Sequence, residues 1–256
     1  MLICAKRKEY ITVRFSDPGR LRPTNEDAFL ADRETGLFAV ADGMGGHAAG
    51  EVASHLAIEA LRAGGSPPAA EPGSADADPA SIARKWLASL VEAANRVVFE
   101  AARANPEYRG MGTTLTALYL RSPVACYAHV GDSRLYRFRD GRLQQLTRDH
   151  TWVREQVDSG LLSPAEADRH PYRSVLTRAI GTNESVEVDS SEVDVQTSDL
   201  FLLCSDGLTT MLDDDDIAGV LSRGLSLEES TAVLIDEANR RGGYDNITVV
   251  LVAAEI

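Results

Sequence analysis

The sequence predicts an α+β protein in which helices cover antiparallel sheets. Three observations carry this reading. Strand-like segments and helix-like segments fall in separate groups along the chain. Several strands are apolar along their whole length, at 37–41, 200–204 and 247–252, the pattern of strands buried on both faces. Short turns such as Asp140-Gly141 join neighbouring strands and make hairpins of them.

In chain order, strands are expected at 10–15, 27–32 and 36–41, followed by a helix at 47–63. A second helix at 80–104 has the clearest period: Ile82, Trp86, Leu90, Ala94 and Val97 or Val98 form one apolar stripe. Strands follow at 113–120, 124–130 and 133–139, then helices at 152–159 and 163–170. A strand at 199–204, helices at 214–223 and 227–241, and a strand at 246–253 complete the series. Ser163-Pro164-Ala165-Glu166 and Ser226-Leu227-Glu228-Glu229 read as capping boxes, the first with proline at the first helical position. Gly242 and Gly243 stop the last helix. Residues 64–79, GGSPPAAEPGSADADP, have almost nothing to bury and read as a flexible surface loop. The motifs described below straddle that loop, so residues 1–256 are read as one domain with an insertion.

Composition narrows the function. The 256 residues carry 39 acidic and 26 basic side chains, a formal charge of −13. That balance excludes a nucleic-acid duplex, whose phosphates need Lys and Arg to displace counterions, and an anionic membrane surface. No run of about 18 apolar residues exists to span a bilayer. The basic first ten residues lack a following apolar run, so no leader peptide is expected. Cys4, Cys126 and Cys204 are odd in number and none forms a Cys-x-x-Cys pair, which fits free thiols in a reducing cytoplasm.

The acids sit at strand boundaries. Asp42 follows the run 37–41, Asp132 follows 124–130 and Asp206 follows 200–204, while Asp27 directly precedes Ala28-Phe29-Leu30 and Asp245 directly precedes the apolar run 247–252. A single Asp-Gly is ordinary turn chemistry. Five such acids converging on one place would repel one another unless a cation neutralised them. Oxygen-only ligands without clustered His or Cys favour Mg²⁺ or Mn²⁺ over Zn²⁺. Two such ions can generate a hydroxide at neutral pH and polarise a phosphoryl group. Arg22, five residues before Asp27, suits either a bidentate grip on a phosphate or a salt bridge to these same acids. The run Asp42-Gly43-Met44-Gly45-Gly46-His47 places three glycines in a strand-to-helix turn, either for close backbone approach or for the turn alone. His47 opens the helix, where the macrodipole disfavours imidazolium, so a proton-donor role needs nearby carboxylates. His55, His129, His150 and His170 are read as packing or surface side chains.

These segments together resemble the metal-dependent protein phosphatases, the PPM or type 2C serine/threonine family, and above all its compact bacterial members. The resemblance rests on Arg22-Pro-Thr-Asn-Glu-Asp27, Val40-Ala-Asp-Gly-Met-Gly-Gly-His47, Met111-Gly-Thr-Thr114, Val130-Gly-Asp-Ser-Arg134, Leu146-Thr-Arg-Asp-His150, Leu176-Thr-Arg-Ala-Ile-Gly181, Cys204-Ser-Asp-Gly207 and Tyr244-Asp-Asn-Ile-Thr248. Eight segments in the family's order, over nearly the whole chain, are specific where one alone is not. The resemblance implies a β-sandwich of two antiparallel sheets, flanked by helices on both outer faces, with metals at one end. It implies that Asp42 bridges two Mn²⁺ or Mg²⁺ ions, that the Gly43 carbonyl ligates one, and that Asp206 and Asp245 ligate the other. Asp132, with Asp206, would hold a weaker third ion. Glu26 and Asp27 would act through metal-bound waters, and Arg22 would bind the substrate phosphate. Hydrolysis of phosphoserine or phosphothreonine would follow by direct attack of a metal-bridging hydroxide, opposing a Ser/Thr protein kinase.

One departure matters. Many eukaryotic members have histidine where this chain has Met44, which cannot transfer a proton. His47 is the nearest substitute as donor to the leaving group, and a metal-bound water is the alternative source. Residues 151–175 correspond to the family's flap, read as a mobile cover that shapes substrate choice. An inactive regulatory module of the same fold is the competing reading, and retention of Arg22, Asp42, Asp132, Asp206 and Asp245 speaks against it. A nucleophilic Ser205 or Cys204 is weaker still, because no Gly-x-Ser-x-Gly elbow surrounds Ser205 and Cys204 lies in an apolar strand. A phosphoaspartyl route through Asp206 would trap a covalent phosphate, which the hydroxide route does not. A cytoplasmic monomer is expected.

Overall fold

The structure is a computed structural model and describes residues 10–45, 49–68 and 78–254. Two five-membered strand paths face each other. The first sheet runs β1 (Tyr10–Asp17), β11 (Ile247–Ala254), β10 (Leu200–Cys204), β7 (Arg134–Arg139), β8 (Arg142–Gln145). The second runs β2 (Asp27–Asp32), β3 (Leu37–Met44), β5 (Leu115–Arg121), β6 (Val124–Val130), β9 (Asp189–Glu192), with β4 (Gly112–Thr113) paired to the end of β3. Every strand pair is antiparallel.

Strand periodicity explains why whole runs are apolar. In β3, Phe38 and Val40 point into the space between the sheets, where they meet Leu118, Leu135, Phe201, Leu203, Val250 and Val252. Leu37, Ala39 and Ala41 point the other way, onto α1 (Ala49–Ala63) and α2 (Pro79–Ala104) through Ile58, Leu61, Leu87 and Val91. The first sheet behaves alike. Leu202, Cys204, Val249 and Leu251 face α5 (Asp206–Thr209), α6 (Asp214–Leu221) and α7 (Leu227–Arg240). A two-residue period with both faces buried gives four layers, helix–sheet–sheet–helix. The expected sandwich is present.

The differences have local causes. The helix expected at 163–170 is only α4, Pro164–Ala167, with its capping box intact. The strands β8 and β9 were not anticipated, because RLQQ and DSSE are polar edge strands without an apolar run. The short helix α5 and a 3₁₀ turn at Pro106–Tyr108 were also missed. Strand β3 continues past its apolar run to Met44, so Asp42 lies within the strand instead of following it. The other expected elements stand within a few residues of their bounds, including α3 (Trp152–Asp158) and both capping boxes. The loop expected at 64–79 lies in large part outside the described residues. Pro79 is already inside α2, capped by the Asp78 side chain. Among the described residues, Cys126 and Cys204 are buried free thiols; Cys4 lies outside them. No helix among the described residues is long and apolar enough to cross a membrane.

Candidate active site

Four separate pieces of chain bring acids to one end of the sandwich. Asp42 comes from the end of β3, Asp132 from the turn between β6 and β7, Asp206 from the first residue of α5, and Asp245 from the approach to β11. A cleft of about 830 Å³ is lined by all four, together with Arg22, Glu26 and Gly43. Seven of the nine residues singled out from sequence thus share one cavity. Asp27 lies beneath it, buried, and His47 lies outside the described residues.

Backbone and hydroxyl contacts hold the acids in place. The Asp42 N–H donates to Thr114 Oγ1 (2.9 Å), and its carbonyl accepts from Thr114 N (2.9 Å) and Thr113 Oγ1 (2.8 Å). Thr114 Oγ1 also meets Ser133 Oγ at 2.6 Å, which joins the Asp42 strand to the Asp132 turn. Asn246 secures the loop carrying Arg22. Its Oδ1 accepts from Glu26 N (2.8 Å), and its Nδ2 donates to the Pro18 and Thr24 carbonyls (3.0 and 2.9 Å). Gly43 must be glycine: a Cβ there would stand 2.1 Å from Gly50 O and 2.6 Å from Glu26 O. Thr113, Thr114, Ser133 and Asn246 stand within the quoted motifs but were given no role there. Their signal was adjacency: Ser205, Asn246 and Thr248 flank Asp206 and Asp245 in sequence.

The electrostatics are those of crowded carboxylates. Burial, then the charges of Asp27, Asp206 and Asp132, push Asp42 well above the ordinary carboxylate range. Burial and Asp206 do the same to Asp132. Asp206 is raised to about 6 by burial and by Asp245. Asp27 is raised to about 7 by burial first of all, against the pull of two hydroxyl donors, Ser205 Oγ (2.7 Å) and Thr248 Oγ1 (2.6 Å) on its Oδ2. Arg22 donates to Asp245 Oδ2 at 2.6 Å, so the salt-bridge alternative for this residue is realised. Ser205 is buried and its Oγ is engaged by Asp27 and the Thr248 amide, and burial pushes the Cys204 thiol up to about 12. Neither is placed as a nucleophile.

The donor set suits a hard cation. Every candidate ligand is oxygen, and the buried Asp206 Oδ1 and Asp27 Oδ1 have no hydrogen-bond partner. Among the described residues no three His, Cys, Asp or Glu side chains close on one point as a finished cage. The acids surround a cleft instead.

One rim of the cleft is the segment after β8. It carries α3, α4 and an aromatic cluster of Trp152, His170 and Tyr172, with centroids 4.9–5.6 Å apart. Its base closes through a bridge between Thr151 and Leu176. Ser174, Leu176 and Thr177 line the cleft, and a second cavity of about 590 Å³ shares Asp132, Ser174 and Asp206 with it.

The family profile described as protein phosphatase 2C matches residues 23–241. The chain belongs to the protein phosphatase 2C family. A serine/threonine phosphatase stp of Listeria welshimeri is 39% identical over 247 residues, covering 93% of both chains. The crystal structure of the Mycobacterium tuberculosis serine/threonine phosphatase PstP/Ppp superposes with a TM-score of 0.85 at 40% identity, over 96% of this chain and 99% of that one. A structure of the PstP catalytic domain in complex with 2 manganese ions gives a TM-score of 0.82 at 38% identity, over 96% and 99%. The phosphatase 2C fold expected from the motifs is therefore the fold observed.

Proposed function

We propose that this chain is a metal-dependent serine/threonine protein phosphatase whose active site is the acidic cleft. One observation carries the reading. Carboxylates from four distant segments line a single cavity, the pKa values of Asp42, Asp132 and Asp206 are raised by burial and by neighbouring carboxylates, and Asp206 keeps a buried oxygen without a partner. Such an arrangement costs stability unless a cation resolves it.

In this reading Asp42, the Gly43 carbonyl, Asp206 and Asp245 hold two ions of Mn²⁺ or Mg²⁺, and Asp132 with Asp206 holds a weaker third. When bound, the ions supply Lewis-acid charge and lower the pKa of water. The chain's own groups do the rest. Glu26, which lines the cleft, and Asp27, buried beneath it, would act through waters of the bound ions. Arg22 uses one N–H on Asp245, and a substrate phosphate competes for that guanidinium fork. Met44 lines the cleft and has no proton to give, so His47 is assigned as donor to the departing serine or threonine oxygen. The segment 151–175 covers the site and selects the substrate. Substrates are phosphoproteins, with a Ser/Thr protein kinase as the opposing activity. The catalytic unit spans residues 1–256 as one monomeric domain, and buried free thiols at Cys126 and Cys204 suit a reducing cytoplasm.

The test is phosphate release from an aryl phosphate and a phosphothreonine peptide, with and without Mn²⁺. Turnover is expected only with metal, and loss of it in Asp206→Asn. Metal-independent turnover, or full activity in the variant, overturns the reading.

A further inference from the structure

His150 lies outside the acid cluster, yet it grips the turn that carries Asp132. Its main-chain N–H donates to the Gly131 carbonyl at 2.7 Å, and the Gly131 N–H donates back to His150 Nδ1 at 3.1 Å. A ring nitrogen that accepts carries no proton, so the network assigns the hydrogen to Nε2. There it points to Asp189 Oδ2 at 3.1 Å, and Asp189 is held in turn by Arg178 at 2.8 Å. The His129 ring packs against it at 4.7 Å, itself tied to Thr116 and to the Arg148 carbonyl. His150 is 2% exposed, so its Nδ1 bond to the Gly131 amide is shielded from bulk water, whereas Asp189 and Arg178 at the far end of the network are partly exposed.

Two consequences meet at this residue. Gly131 has φ +112°, and a Cβ there would stand 2.6 Å from Thr114 Cβ. The residue before Asp132 therefore has no side chain to anchor it, and its backbone bonds set its place. The His150 carbonyl also accepts from Thr177 N at 2.9 Å, and the next residue, Thr151, caps α3 and bridges to Leu176. The same residue thus holds the Asp132 turn and both feet of the covering segment.

We infer that His150 is a positioning residue: through Nδ1 on the Gly131 amide it fixes Asp132 for the weaker metal subsite and couples that placement to the covering segment. The inference rests on the metal-dependent reading above. Two substitutions separate its two bonds. Asparagine places an acceptor oxygen near Nδ1 and falls short of Asp189, whereas glutamine reaches toward Asp189 and leaves the Gly131 amide without an acceptor.

The experiment titrates Mn²⁺ calorimetrically into the full chain after dialysis against chelator, alongside thermal unfolding and long-range ¹H–¹⁵N spectra of the histidines. In the wild type, His150 should appear as the Nε2–H tautomer. His150→Asn should bind the last Mn²⁺ within about twofold of wild type, and His150→Gln about tenfold more weakly, as a lost bond to a buried amide requires. The inference is overturned by an Nδ1–H tautomer, by unchanged binding in both variants, or by equal weakening that merely follows lost thermal stability. A wild type that binds Mn²⁺ with this contrast but releases no phosphate refutes the phosphatase reading instead.

Discussion

Two acidic regions of this molecule differ in almost every physical respect. Residues 213–216 are four consecutive aspartates, the densest charge in the sequence. They form the start of α6, where Asp213 and Asp216 make a reciprocal capping box and the helix dipole favours their charge. Arg241 holds Asp216 through two bonds of 2.5 and 2.7 Å and keeps its carboxyl below the usual range. The cleft gathers acids from positions as far apart as Asp42 and Asp245, and it buries Asp42, Asp132 and Asp206 and raises their pKa values. Charge count does not distinguish a site from a surface. Desolvation of clustered carboxylates does.

The largest expected effect breaks the comparison at the cleft. Asp42→Asn and Asp206→Asn should each lower Mn²⁺-dependent phosphate release by at least about 10³-fold, measured as kcat on a phosphothreonine peptide. The same substitutions should raise the stability of the metal-free protein by about 1–3 kcal/mol at pH 7.5, because each removes a buried carboxyl whose charged form is disfavoured beside the others. Denaturant unfolding in chelator checks this. A variant that is both inactive and less stable would show that the aspartates serve folding instead.

pH sharpens the contrast next. The folded protein holds the protons of Asp206 and Asp27 up to about pH 6 and 7, whereas an unfolded aspartate loses its own near 3.9. A raised folded pKa contributes stability that is complete below the unfolded value and lost as pH rises through the folded one. The metal-free protein should therefore lose up to about 6 kcal/mol of unfolding free energy between pH 4 and 8 from these two groups. Excess Mn²⁺ should invert the slope, since metal binds the deprotonated carboxylates. Identical pH profiles with and without Mn²⁺ would refute the assignment.

Arg22 tests the rim. It is half-exposed and its pair with Asp245 contributes little to stability, so Arg22→Ala should leave the melting temperature within about 2 °C. Its loss should lower kcat/KM by about 10- to 100-fold, carried mainly by KM. An unchanged KM would remove Arg22 from phosphate binding.

The sequence made some of this legible and hid the rest for physical reasons. Runs such as 37–41 and 247–252 announced strands buried on both faces, and the residue-to-residue alternation toward sheet and helices bears that out. β8 and β9 stayed hidden because edge strands carry little apolar pattern. In the cleft, the acids were found as strand-end residues, but the hydroxyls and amides that hold them were not. Thr114, Ser133 and Asn246 act on partners 19 to 228 residues away, and such distances leave no periodic trace. From sequence His150 is a packing or surface side chain, and its grip on Gly131 is visible only once β6 and the segment after β8 are brought together.

The smallest effect belongs to the acidic cap, and it decides whether the comparison is sound. Asp213 accepts from the Asp216 N–H at 2.8 Å, satisfying one of the free amides at the start of α6. Asp213→Ala should cost about 1 kcal/mol, the ordinary worth of such a cap, and lower the melting temperature by about 2–4 °C. Unlike the cleft variants, it should destabilise with or without Mn²⁺ and leave the Mn²⁺ concentration for half-maximal activity unchanged. Opposite signs are the point: neutralising an acid at the cleft relieves the metal-free fold, whereas neutralising one at the cap removes a bond that water-exposed charge was free to make. If Asp213→Ala instead stabilised the protein in chelator, repulsion along the run of four would outweigh capping, and the two regions would obey one rule.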